Sequence, residues 1–296
     1  MKKATISVVI LHYNDFNMTR DYIDNLRGLN WNDISHQFII VDNDSPDESG
    51  QTLYKNFKGS DDVTVILLPE NIGFARGNNK GILYARNELD SELIVVSNND
   101  IDIKTKDFPR LLLKEYERSK FSVYGPDIYS LSKKEHQNPM REKPMELEEV
   151  GKRIKKIDRI LPMLYFLNKT GLYDPMKRFK DKVKKNHVKT VPVKKSRIEK
   201  CVLHGAFFVL SENYMKEYPD GLFNETFLYM EEDILAFRCN LKGLKMVYDP
   251  AIDVIHFDGV SSLHVAGNRC EKFIREMKET RKSCISYMEY MKSQMA

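Results

Sequence analysis

The sequence lacks the features that announce several common protein classes. Its four cysteines, Cys201, Cys239, Cys270 and Cys284, form no C-x-x-C pair, so a zinc ribbon, a thioredoxin-type motif and a disulfide scaffold have no starting point. The thiols read as free, as expected in a reducing cytoplasm, and Cys201-x-x-His204 is half of a metal pair without its second half. No run approaches the 18 or so apolar residues of a membrane span, so membrane contact is expected to be peripheral at most. The 14 glycines form neither G-x-G-x-x-G nor G-x-x-x-x-G-K-[ST]; Gly73-x-x-x-Gly77-x-x-x-Gly81 fits neither. A dinucleotide-dependent dehydrogenase and a P-loop NTPase are thereby disfavoured. The opening MKKATISVVILHYN places lysines before an apolar run, but the run is short and has no small-residue cleavage pattern. It reads as a buried first strand and not as a signal peptide.

Net charge is also small, +4 over 296 residues, yet it is unevenly distributed. Residues 133–200 hold 21 Lys/Arg and 9 Asp/Glu, a net of +12, which leaves −8 on the rest of the chain. With 42% hydrophobic and 10% aromatic residues the chain is able to bury a sizeable core, as one large domain or two modest ones.

Residues 6–11 (ISVVIL) are a continuous β-branched run, the pattern of a strand covered on both faces. Residues 37–41 (QFIIV), 63–68 (VTVILL) and 93–97 (LIVVS) read as further strands, and residues 74–89 as a helix. Met18, Tyr22, Ile23, Leu26 and Leu29 recur at helical spacing after the first strand. Strands alternating with helices imply a parallel, doubly wound α/β sheet, whose ligands bind beyond the carboxyl ends of the strands. Those ends are polar: His12-Tyr13-Asn14-Asp15, Asp42-Asn43-Asp44-Ser45, Pro69-Glu70-Asn71-Ile72-Gly73 and Asn98-Asn99-Asp100. Turn and cap chemistry explains any one of these loops; four with the same bias on one sheet edge point to a ligand. Hard oxygen donors of this kind suit Mg2+ or Mn2+ bridging a diphosphate.

Six motifs carry a resemblance: ISVVILHYN; Val41-Asp42-Asn43-x-Ser45; Asn71-Ile72-Gly73-Phe74-Ala75-x-Gly77-Asn78-Asn79; Asn98-Asn99-Asp100; Phe227-Leu228-Tyr229-Met230-Glu231-Glu232-Asp233-Ile234-Leu235-x-x-Arg238; and Val254-Ile255-His256-x-x-Gly259-x-Ser261. Together they resemble family 2 glycosyltransferases of the GT-A fold, a doubly wound mixed sheet with helices on both faces. The likeness is nearest to the rhamnosyltransferase-like enzymes of bacterial surface polysaccharide synthesis. It covers residues 5–125 and 201–262 and implies an inverting, metal-dependent transfer of a sugar from a UDP- or dTDP-linked donor to a glycan or lipid-linked glycan.

The resemblance also implies roles for single residues. Asp42 would accept the imide N–H of a uracil or thymine base, within a donor site that includes His12, Tyr13, Asn14, Asn43, Ser45, Asn71, Phe74, Asn78 and Asn99. Gly73 and Gly77 would allow close backbone approach to the nucleotide. The triplet stands where the family has D-x-D: Asn98 would touch the ribose, and Asp100 would bind Mn2+ or Mg2+ together with His256. Register from Arg238 puts Glu231 at the acceptor-holding position and Glu232 at that of the base that deprotonates the acceptor hydroxyl, with Asp233 as the alternative.

The catalytic domain is thus expected over residues 1–266, interrupted by a basic insertion at about 130–200 and followed by a helical tail at 267–296. Lys152, Arg153, Lys155, Lys156 and Arg159 precede an apolar patch at residues 160–167 (ILPMLYFL), an arrangement that suits an anionic membrane surface. Lys182, Lys184, Lys185, Lys189, Lys194, Lys195 and Arg197 extend the block, but no nucleic-acid-binding motif accompanies them and no nucleic acid is expected. The tail's apolar residues pack on the body or on a second copy of the chain. The alternative to an enzyme is a non-catalytic partner subunit that binds a sugar nucleotide or an anionic surface.

Overall fold

The computed structural model describes residues 5–174, 196–258 and 268–295. A ten-stranded mixed sheet forms its centre. β1 (Ile6–His12), β2 (His36–Asp42), β3 (Val63–Leu67) and β4 (Leu93–Asn98) lie parallel in the order β3-β2-β1-β4. The order continues β9-β6-β10-β5, where β5 is Ile101–Ile103, β6 Val123–Ser130, β9 Phe207–Ser211 and β10 Met246–His256. β9 runs antiparallel between β4 and β6, and β10 runs parallel to β6. The short strands β7 (Glu135–His136) and β8 (Ile198–Glu199) pair with β6 and β10.

Alternation along β1 explains why its run is apolar throughout. Ile6, Val8 and Ile10 enter a core covered by α1 (Phe16–Arg27) and α4 (Phe108–Ser119), where Tyr22, Ile23, Phe108 and Leu112 meet them. Val9 faces the opposite core, under α3 (Phe74–Asn87), α6 (Glu212–Glu217) and α7 (Glu231–Leu241). Between β2 and β3 lies α2 (Ser49–Phe57). Gly77 and Gly81 let α3 lie directly on β1, because a Cβ at either position would come within 2.6 Å of Leu11 or 2.4 Å of Val9.

Gly125 and Pro126 lie inside β6, and Pro126 falls at the irregularity where the β6–β10 register shifts between Tyr248 and Asp253. A proline is tolerated there because the ladder has no bond for it to break. β10 runs through that shift as one strand.

The described helix of the basic insertion packs on the C-terminal tail. α5 (Leu147–Thr170) packs along α8 (Arg269–Ser293). Val150, Met230, Ile234, Cys284, Tyr287 and Met291 make one cluster, and Leu164, Cys270 and Ile274 make another. The tail's apolar face is therefore covered within the chain. Among the described residues no helix is long and apolar enough to cross a membrane. The lysines at 182, 184, 185, 189, 194 and 195, and the Gly259-x-Ser261 turn, lie outside the described residues.

Candidate active site

The loops after β1, β2 and β3 satisfy most of their polar atoms among themselves. His12, expected at the donor, is fully buried: Nδ1 meets the Thr19 hydroxyl at 2.6 Å and Nε2 the Ser49 hydroxyl at 2.7 Å. Burial pushes its pKa down to about 4, so the ring is neutral and ties β1 to α1 and α2. Both ring nitrogens of this residue, expected at the donor, are thus occupied by protein hydroxyls. Asp42 is buried against Gly50, where a Cβ would fall 2.0 Å from its Oδ2, and its Oδ1 accepts from the Ser45 amide and hydroxyl. Burial raises its pKa while the Ser45 bonds oppose the rise. Ser45 Oγ also accepts from the Asn14 amide at 2.8 Å.

Asn43 Nδ2 donates to Asn71 Oδ1 at 3.0 Å, and Asn43 Oδ1 accepts from the Ile72 amide. The two glycines expected to admit a nucleotide each lie against protein. Gly73 has φ 87°, and a Cβ there would sit 2.3 Å from the Phe227 carbonyl oxygen; Gly77 makes room for Leu11. The Phe74 amide donates to that same carbonyl at 2.8 Å, so the loop before α3 is fastened to the loop that leads into α7. Asn78 Nδ2 donates to the Phe74 carbonyl, leaving its buried Oδ1 without a partner, as is Asn14 Oδ1. Tyr13 and Asn98 are half-buried, the Asn98 amide donates to Ala206, and Asn99 donates to Thr19 Oγ1.

A different pattern holds where β4, β10 and α7 end. β5 pairs antiparallel with the end of β10, matching Ile101 with His256, so the chain crossing from β4 to β5 carries Asp100 over the His256 ring. Asp100 Oδ1 lies 3.3 Å from His256 Nε2, is buried, and has no hydrogen-bond partner. His256 Nδ1 meets Gln137 Oε1 at 2.8 Å, and the Gln137 amide nitrogen donates to Asp258 at 3.3 Å. With the amide so oriented, Nδ1 carries the proton and Nε2 turns a lone pair toward Asp100. Two facing acceptors fit a divalent cation between them. No cluster of three His, Cys, Asp or Glu ligands occurs among the described residues, so a cation here would take its other oxygens from the diphosphate and water.

α7 begins from an unusual turn, with Tyr229 at φ 75° and Met230 at φ 72°. Two successive non-glycine residues in this region are costly, and the turn sends the three following carboxyls to different places. Asp233 accepts from the Arg141 guanidinium and, at 2.8 Å, from the Met145 amide, so both its oxygens hold the segment that leads into α5. Glu232 lies against Gly205, where a Cβ would be 3.0 Å from its Oε1. Glu231 Oε1 is buried without a partner. A small pocket lined by Phe74, Leu203, Phe208, Leu222 and Phe223 adjoins both glutamates. Burial, then the charge of Glu232, pushes Glu231 up to about 8; burial raises Glu232 as well.

His204 links these two places. Its ring meets that of His256 edge-on at 5.6 Å, and the next residue is the Gly205 beneath Glu232. His204 Nδ1 accepts the Ala206 amide at 3.1 Å, which leaves the proton on Nε2, a donor with no partner among the described residues. Burial pushes the ring's pKa down to about 4. Cys201 is buried in the core, where burial pushes its thiol up to about 11, and it forms no metal pair with His204. The motif reading missed His204, Gln137 and Arg141; only His204 carried a signal, the incomplete Cys-x-x-His.

The profile of Glycosyl transferase family 2 matches residues 7–183, more than half of the chain. The chain belongs to this family. The Haloferax volcanii low-salt glycan biosynthesis hexosyltransferase Agl10 is 25% identical over 252 residues, covering 85% of this chain and 66% of that protein. This family 2 chain therefore spans just under two-thirds of that relative's length. S. aureus TarS 1–349, solved in complex with UDP-GlcNAc, superposes with TM-score 0.53 at 12% identity over 94% of this chain and 66% of that one. The Pyrobaculum calidifontis mannosyltransferase PcManGT, solved with GDP-Man and Mn2+, gives TM-score 0.53 at 9% identity over 98% and 76%. The fold of this family 2 glycosyltransferase is GT-A, with the mixed sheet anticipated from its motifs.

Proposed function

We propose that this glycosyltransferase is an inverting, divalent-metal-dependent enzyme that moves a sugar from a UDP- or dTDP-linked donor to a glycan or lipid-linked glycan. The observation that carries the reading is the buried, partnerless Asp100 Oδ1 facing the His256 lone pair, with a half-buried glutamate pair across His204. When bound, Mn2+ or Mg2+ supplies positive charge to the departing diphosphate. Asp100 and His256 would hold it, with Gln137 keeping the histidine in its coordinating tautomer.

Glu232 takes the proton from the acceptor hydroxyl as that oxygen bonds to the anomeric carbon, and the bond from carbon to the phosphate oxygen breaks. A carboxylate whose pKa is raised by burial is the better base. Asp233 is not placed for the task, because Arg141 and Met145 occupy it. Glu231, largely protonated at neutral pH, offers the acceptor a hydrogen bond. His204 Nε2–H donates to the phosphate oxygen that gains charge. Both Ser45 bonds fall on Asp42 Oδ1, so Oδ2 is the atom for the base imide. A rhamnosyl unit, added during surface polysaccharide synthesis, is the finer form of the proposal and rests on the motifs. The relative's part in glycan biosynthesis supports a glycan acceptor.

Turnover of UDP- and dTDP-sugars with Mn2+ or Mg2+, before and after chelation, tests the reading. Chelation is expected to abolish transfer and re-addition of either ion to restore it; undiminished transfer by the chelated protein would contradict the metal assignment.

A further inference from the structure

The apolar patch at 160–167 divides between two faces of α5. Leu164 and Leu167 are buried together with Val150 and Ile157, on the face where α8 packs. The opposite face carries Lys152, Lys155, Lys156, Arg159, Met163 and Phe166, at offsets of 3, 4, 7, 11 and 14 from Lys152, one continuous helical stripe. Its first turns are basic and its last turns apolar. Met163 is 49% and Phe166 62% exposed, and Leu172 continues the exposed apolar surface past the helix end. Lys152 is paired with Glu148, whereas Lys155, Lys156 and Arg159 have no ion-pair partner among the described residues. Beside the stripe, the Lys278 ammonium lies over the half-exposed Tyr165 ring at 5.3 Å.

We propose that this stripe docks the enzyme on an anionic lipid bilayer, with Phe166 and Met163 entering the interface and Lys155, Lys156 and Arg159 against the phosphates. An aromatic and a thioether side chain beside unpaired cations match a surface that is apolar inside and anionic at its rim. A second copy of the chain fits less well, since a two-fold contact would set one cationic stripe against another. A globular partner would need a far larger contiguous apolar centre.

The placement has a consequence that rests on the glycosyl-transfer reading. α5 starts where Asp233 holds Met145, and Val150 packs with Met230 and Ile234 of the catalytic turn. Phe166 lies 16 residues beyond Val150, roughly 24 Å along the helix. The glutamate pair is thus joined to the docked stripe through a single helix.

Vesicle flotation without substrates tests the docking independently of catalysis. The full chain is expected to float with phosphatidylcholine vesicles containing about 30 mol% phosphatidylglycerol, and much less with pure phosphatidylcholine or in about 0.5 M salt. Met163→Ser/Phe166→Ser should lower the bound fraction roughly fivefold and Lys155→Glu/Lys156→Glu/Arg159→Glu at least tenfold. Both sets lie on the exposed face, and an unchanged melting temperature would show that the fold is kept. Failure of the wild-type chain to float, or variants floating equally well, would overturn the proposal. So would a change in oligomeric state on Met163→Ser/Phe166→Ser, which would assign the stripe to a second copy.

Discussion

The loops after β1 and β2 and the rim formed by β4, β10 and α7 are built from the same residue types, yet they are put to opposite use. At the first, His12, Asp42, Asn43 and Ser45 bond to one another and to neighbouring hydroxyls and amides, so the loops are fixed before any ligand arrives. At the second, Asp100 and Glu231 each hold a buried oxygen with no partner. An unsatisfied buried polar atom costs about 1–3 kcal/mol, and such a cost is retained where a ligand or a reaction meets it. Polar content therefore does not distinguish scaffold from site, and a lone unmet oxygen does not either, since Asn14 Oδ1 after β1 and Asn78 Oδ1 on α3 are unpartnered too; what sets the second region apart is an unmet oxygen facing another ligand-capable side chain, as Asp100 faces His256.

The contrast is open to attack at four points, taken from the largest expected effect down. Asp100→Ala should lower transfer about 1000-fold, roughly 4 kcal/mol, and weaken Mn2+ binding measured calorimetrically with UDP present. Full activity would place the ion elsewhere. His12→Ala should instead lower stability by about 2–4 kcal/mol, because it opens a cavity and strands the Thr19 and Ser49 hydroxyls. Donor affinity of the folded variant should hold to within about threefold, since the ring meets only protein. Lost donor binding at unchanged melting temperature would move His12 into the site.

Gln137→Leu should weaken Mn2+ binding by about 10–100-fold at unchanged Asp100, because the His256 tautomer is no longer fixed. Gln137→Glu, which keeps an acceptor for Nδ1–H, should recover much of the loss. The smallest effect belongs to Glu231→Gln. Burial favours its protonated form when folded, whereas the unfolded carboxyl ionises near 4.5. Stability is therefore lost as pH rises from about 4.5 toward 8, and a glutamine removes that loss. The variant's melting temperature should exceed the wild type's by several degrees at pH 8.5, with little difference at pH 4.5. Equal melting temperatures at both pH values would show that Glu231 is not desolvated.

Much of this was legible in the sequence. The runs in β1 to β4 are long, β-branched and bounded by polar turns, so local pattern alone located them. Glu231, Glu232, Asp233 and Arg238 lie on one helix, Arg238 seven residues from Glu231, as the spacing of the motif assumed. Partners made across large sequence separations were not legible. Nothing near Gln137 says that it meets His256, and nothing in 147–170 says that it packs on 269–293. His12 and Asp42 are ambiguous in another way, since a turn that binds its own backbone and a turn that binds a nucleotide ask for the same side chains. Gly73 and Gly77 show the same ambiguity: the close approach inferred from them exists, but to Phe227 and Leu11.

The central claim is that α7 separates its carboxyls into a base and an anchor, Glu232 over Gly205 and Asp233 in the grip of Arg141 and Met145. Single-turnover transfer, measured beside donor binding and melting temperature for Glu232→Gln and Asp233→Asn, tests it most directly. Glu232→Gln should bind donor within about threefold of wild type and lose transfer by 100-fold to 10000-fold, while Asp233→Asn should lose several degrees of melting temperature and keep most of its transfer rate once folded. Full transfer by Glu232→Gln, or a fully stable Asp233→Asn that no longer transfers, would contradict the account.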